Sequence, residues 1–146
     1  MVFSTISAQK VRNNFDVFYS GESKQKPVKY VIFDSKDQNN ERREDKERIY
    51  FHIKGESFIF DKQKKRDTCS ISILKKIKLE NPEKLRDDEY KYFRKKVEEF
   101  EKETNQKIPK SLPISRKHLY FKVYVLEKIA NDEIIKYEVD WEYSDF

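Results

Sequence analysis

Eleven Phe, nine Tyr and one Trp place 21 aromatic rings in a 146-residue chain that is 40% charged. No other feature constrains the fold as much. A composition of 40% charged and 36% hydrophobic residues leans towards disorder. The charges nearly cancel, however, since 32 basic residues against 27 acidic ones leave a net of +5. Each ring buries roughly 150–250 Å², so even half of them supply a core. The length suits one domain, and a single domain over Met1–Phe146 is expected.

Several classes are excluded by residue counts. The lone Cys69 forbids an internal disulfide or a cysteine-based zinc site and fits a reducing compartment, so a cytoplasmic location is expected. Two glycines are too few for a glycine-rich phosphate loop. No apolar run approaches the roughly 20 residues of a membrane span, and Met1–Lys10 lacks the basic-then-apolar pattern of a secretory signal. No membrane partner, cofactor or small-molecule substrate is expected.

Alternation by two reads as strands. Phe15–Tyr19 leads to a turn at Gly21–Ser23 and a second strand over Val28–Phe33. Ile49, Phe51 and Ile53 share a face, Gly55-Glu56 reverses the chain, and Phe58 and Phe60 share a face on the return. Thr68–Leu74 alternates again, with Cys69, Ile71 and Ile73 on one side. In the last third, Leu119, Phe121, Val123 and Val125 oppose Ile135, Tyr137, Val139, Trp141 and Tyr143 across a turn at Ala130–Glu133. Trp141 is expected to face the core, with Lys136, Glu138, Asp140 and Glu142 on the wet side.

The period changes at Asn81-Pro82, which reads as an N-cap with proline at the first helical position. Leu85, Phe93, Val97 and Phe100 form one stripe, with Glu89 its polar exception, and the helix stops near Asn105. Lys36–Lys46, which has no apolar residue, and Ile108–Arg116, with two prolines, read as loops. The fold class is α+β: a mainly antiparallel sheet of five to seven strands with one long helix packed on one face.

Charge is unevenly spread. Between Lys62 and Lys78 the bases Lys62, Lys64, Lys65, Arg66, Lys75, Lys76 and Lys78 meet one acid, Asp67, a balance of +6. Between Glu127 and Phe146 seven acids meet Lys128 and Lys136, a balance of −5. Such asymmetry speaks of partners and steering rather than fold. The basic segment is a candidate phosphate-contacting patch; the plainer alternative is a solvated loop and strand edge, whose lysines discourage aggregation.

Candidate catalytic groups are few. The histidines are His52 and His118. Phe51-His52-Ile53-Lys54 and Lys117-His118-Leu119-Tyr120 are similar to the paired His-x-Thr or His-x-Ser elements of two-histidine phosphoesterases, but Lys54 and Tyr120 stand where the hydroxyls belong. Cys69, between apolar alternates, reads as an inert buried thiol. Tyr120–Val125 has the aromatic alternation of an RNA-stacking strand without its glycines.

With its small size, its richness in lysine, glutamate and asparagine and its lack of motifs, the chain resembles the small inhibitors encoded by phages and mobile elements, of which anti-CRISPR proteins are one group. That resemblance implies a non-enzymatic protein that binds a larger protein or ribonucleoprotein target such as a guide-RNA-dependent CRISPR nuclease. Lys62, Lys64, Lys65, Arg66, Lys75 and Lys76 would then face RNA or the acidic side of the target. The other readings are an immunity protein neutralising a bacterial toxin, a free-standing RNA-binding module and a degenerate two-histidine phosphoesterase.

Overall fold

A computed structural model describes residues 26–107, 116–130 and 132–143. The expected Phe15–Tyr19 strand, its turn at Gly21–Ser23 and most of the Ile108–Arg116 connection lie outside them. The described residues form seven strands: β1 (Val28–Phe33), β2 (Asn40–Glu44), β3 (Arg48–Ile53), β4 (Glu56–Asp61), β5 (Arg66–Ser70), β6 (Lys122–Ile129) and β7 (Glu133–Glu142). One α-helix, α1 (Pro82–Thr104), stands between β5 and β6.

The strands build one curled sheet in the order β1-β6-β7-β4-β3-β2, with β5 also paired to β7. The fold is α+β as expected. The sheet is mixed, because β1 runs parallel to β6 while the other pairs are antiparallel. β7 is the seam. One of its edges takes β6, and the other takes β5 along Glu133–Tyr137 and β4 along Asp140–Glu142.

Local chemistry explains the boundaries. Ile53 pairs with Glu56, leaving a two-residue turn in which Lys54 (φ 50°) and Gly55 (φ 85°) both take the left-handed conformation that matches the twist of the strands. Asn81 Oδ1 accepts from Glu83 N–H (3.0 Å) at the start of α1, with Pro82 following. Asn105 (φ 55°) ends the helix as a left-handed cap.

Two expectations need correcting. Lys36–Lys46 is not wholly a loop: Asn40–Glu44 pairs with β3. It is an edge strand whose last four residues are exposed, so no apolar face marks it in the sequence. The strand expected over Thr68–Leu74 stops at Ser70. There Ser70 Oγ accepts from Ser72 N–H (3.4 Å) and caps a 3-10 turn over Ile71–Lys75. β7 begins at Glu133, so the ladder has no further partner strand to extend along.

The core lies on the concave side, where Val31 and Phe33, Ile49, Phe51 and Ile53, Phe58 and Phe60, and Val123 and Val125 meet Tyr137, Val139 and Trp141. Trp141 is buried, as its place in the alternation predicts. α1 packs on this side through Leu85, and Tyr92 approaches Phe121 at 5.6 Å. The other face is not uniformly wet, since Leu126 and Ile134 are fully buried there. The chain leaves β5 beside β7 and reaches Leu79 beside Tyr30 of β1, so Ile71–Lys78 crosses that face of the sheet.

Candidate functional site

The basic segment spans three structural settings. Lys62 follows β4, and its ammonium is held by Glu44 Oε2 (2.6 Å) and the Asp45 carbonyl (2.6 Å). Lys64 stands 3.9 Å from Asp140. Lys65 and Arg66, at the start of β5, are exposed and pair with no acid among the described residues. The same holds for Lys75, at the end of the 3-10 turn, and for Lys76 and Lys78 beyond it.

These cations form two groups rather than one patch. Arg66 sits opposite Tyr137 and Ser70 opposite Glu133. The rise of an extended strand separates those two positions by about 13 Å. Lys64, Lys65 and Arg66 therefore lie at one end of β5, whereas Lys75, Lys76 and Lys78 lie on the segment that crosses the sheet from Ser70 to Leu79 beside Tyr30 of β1. Lys62 belongs to neither, because Glu44 neutralises it. The same contacts act on the acid: hydrogen bonds from Lys62 and then Arg42 hold the Glu44 carboxyl below its ordinary value.

Asp140 tempers the field on the convex face. It receives Lys117 at 3.2 Å as well as Lys64. Burial lowers the Lys26 amine, and attraction to Asp140 opposes that shift. Further along this face Tyr30 stacks on Tyr124, with ring centroids 5.6 Å apart. Lys136 lies 5.0 Å and Lys122 5.6 Å from the Tyr124 ring centre. The sequence alternation thus places Tyr124 on the convex side, while Phe121 is buried in the core and Tyr120 packs on Phe93.

The two histidines are not brought together. His52 belongs to the face of β3 opposite Phe51, where its Nδ1 meets Ser57 Oγ at 3.0 Å. His118 is on the core side, stacked on Trp141. A sheet separates them, so the paired site of a two-histidine phosphoesterase is not assembled. Cys69 is half-buried rather than buried: it faces Ile134 across the pair with β7, which among the described residues is the sole strand beside β5.

A buried polar cluster went unread in the sequence. His118 Nδ1 lies 2.7 Å from Glu89 Oε1, and Trp141 Nε1–H donates to Glu56 Oε2 (3.0 Å). Glu56 Oε1 is also 2.7 Å from Arg86 Nε. Burial raises the Tyr143 phenol above its ordinary value, with the charge of Glu89 adding to the effect. The signal available in the sequence was Glu89 on an otherwise apolar helical stripe. Together these contacts fasten α1 to β4, β7 and the chain at His118. Among the described residues, no cluster of three or more His, Cys, Asp or Glu side chains is arranged to hold a metal, and no helix is long and apolar enough to cross a membrane.

Compared with known family models, curated proteins and solved structures, the chain matches none.

Proposed function

We propose that this protein acts by binding rather than by catalysis, engaging a larger macromolecular target through the cations around β5. One observation carries the reading: Lys65, Arg66, Lys75, Lys76 and Lys78 stand exposed and unpaired among the described residues, at the start of β5 and along the segment that runs from β5 across the sheet to β1. Neighbouring cations such as Lys62, Lys64 and Arg42 are occupied by acids of the chain itself. Unpaired cations on a fixed frame steer an anionic partner without first giving up an internal ion pair. A guide-RNA-dependent nuclease is the target that the resemblance to phage-encoded inhibitors implies, and inhibition by occupation of its surface follows from that identity.

The test uses two polyanion probes, labelled poly-uridine RNA and labelled polyglutamate. Lys65→Glu with Arg66→Glu should weaken binding of at least one probe by about tenfold at low salt, and the difference should shrink as salt rises. The control is Lys91→Glu with Lys95→Glu on the exposed side of α1. Equal effects from the two double variants would remove the assignment.

A further inference from the structure

On the convex face, apolar and aromatic surface lies open between cations. Alternation along β1 puts Val28 and Tyr30 on this face, opposite the buried Val31 and Phe33. The parallel register sets Tyr30 beside Tyr124 and Val28 beside Lys122. Leu79, where the crossing segment ends, bridges to Tyr30. Val28 is 45% exposed and Leu79 39%, and the stacked tyrosines are only half-buried. Exposed apolar surface with a polar rim marks a contact site more often than a packing one.

The rim here is cationic. Lys76 and Lys78 come just before Leu79 in the chain, exposed and paired with no acid among the described residues. Lys136 lies 5.0 Å from the Tyr124 ring centre and, although Asp67 is opposite it in the ladder, forms no ion pair there. Lys122, 5.6 Å from the same centre, reaches Glu138 only at 3.8 Å. Its hydrogen bond to the Tyr124 phenol, ahead of attraction to Glu138, raises its amine above the ordinary value.

Rings among ammonium groups discriminate between anionic occupants. An acidic peptide offers charge to the lysines but nothing planar to the rings. A duplex offers phosphates but keeps its base faces in its own stack. A single strand offers both, and stacking on tyrosine accepts any base because each has a π-face.

We propose that this patch binds single-stranded nucleic acid, its bases stacking at Tyr30 and Tyr124 and its phosphates meeting Lys76, Lys78, Lys122 and Lys136. The proposal rests on the reading of the unpaired cations as a binding surface and names the ligand that one group of them takes.

The experiment titrates three labelled probes: an oligoadenylate RNA, an abasic phosphodiester strand of equal length and charge, and a duplex of the oligoadenylate with its complement. The oligoadenylate should bind about tenfold more tightly than the abasic strand. Tyr30→Leu with Tyr124→Leu should bring it down to the abasic level and leave the abasic strand unchanged, whereas Tyr30→Phe with Tyr124→Phe keeps the preference. Lys76→Gln with Lys136→Gln should weaken both single strands alike and flatten their salt dependence. In the unmodified protein, the ring protons of Tyr30 and Tyr124 should shift upfield as oligoadenylate is added, a reading that requires no variant to fold. Equal binding of the oligoadenylate and the abasic strand, preference for the duplex, unshifted tyrosine protons, or a preference that survives the leucine substitutions overturns the proposal. Binding of polyglutamate with no binding of oligoadenylate overturns it in favour of an acidic protein. In each of those cases the basic-surface reading still stands if Lys65→Glu with Arg66→Glu weakens poly-uridine or polyglutamate binding, and falls if it does not.

Discussion

His118 lies flat on Trp141, with ring centroids 3.6 Å apart and planes at 12°, and its Nδ1 is turned to Glu89 Oε1 at 2.7 Å. One imidazole thus joins the seam strand β7 to the helix α1. His118→Ala should destabilise the protein by about 3 kcal/mol, combining lost ring packing with a buried Glu89 carboxylate left without its partner. His52→Ala, losing one half-buried contact to Ser57, should cost about 1 kcal/mol. Urea unfolding of both variants ranks them, and equal losses would contradict the assigned roles.

Trp141 separates packing from hydrogen bonding. Trp141→Ala should cost about 3–5 kcal/mol, as large aromatic truncations do. Trp141→Phe keeps much of the ring but removes the donor to Glu56, and should cost about 1–3 kcal/mol. Thermal melts of the two variants test this, and a loss below about 1 kcal/mol for the alanine variant is incompatible with a core position.

Alkaline stability depends on Tyr137. Burial, followed by its hydrogen bond to Glu127, raises its phenol above the ordinary value of 10.0. The unfolded chain therefore releases this proton first, and the contribution is complete below pH 10.0 and lost as pH climbs towards the folded value. Tyr137→Phe should unfold more easily at neutral pH, yet show a shallower decline above that point. Denaturation midpoints measured across the alkaline range give the answer.

At Gly55, where φ is 85°, any side chain is strained even though the space beside it is open. Gly55→Ala should cost about 1 kcal/mol, the penalty for a left-handed residue with a Cβ. Lys54→Gly, at φ 50° in the same turn, should be neutral or slightly stabilising. Chemical denaturation distinguishes the two.

Lys62 and Lys65 are close in sequence and opposite in role. Lys62→Glu places a like charge against Glu44 and should lower stability, whereas Lys65→Glu should stay within about 0.5 kcal/mol. Binding of poly-uridine or polyglutamate should respond to Lys65→Glu beyond any effect on folding. Calorimetric melting beside anisotropy titration separates these effects.

Where side chains alternate or cap, the sequence is read well. Val28–Phe33 is a strand with the expected limits, and Asn81, Pro82 and Asn105 mark both ends of α1. β2 was hidden because an edge strand needs a backbone partner and not an apolar face. β5 is shorter than the alternation predicts because Ile71 and Ile73 continue the pattern past Ser70, which already faces Glu133, the first residue of β7. For the candidate site, the sequence located the cations but could not distribute them. That Glu44 occupies Lys62, and that β5 holds the remaining cations apart, are consequences of tertiary placement.

β7 pairs with β4, β5 and β6, each of which precedes it in the chain. A ribosome adding about 5–20 residues per second therefore exposes the β3–β4 hairpin, closed by its two-residue turn, well before the strand that unites the sheet is made. Until Glu133–Glu142 emerges, β5 has no ladder to join and the rings of Phe51, Phe58 and Phe60 have no Tyr137 or Trp141 to cover them.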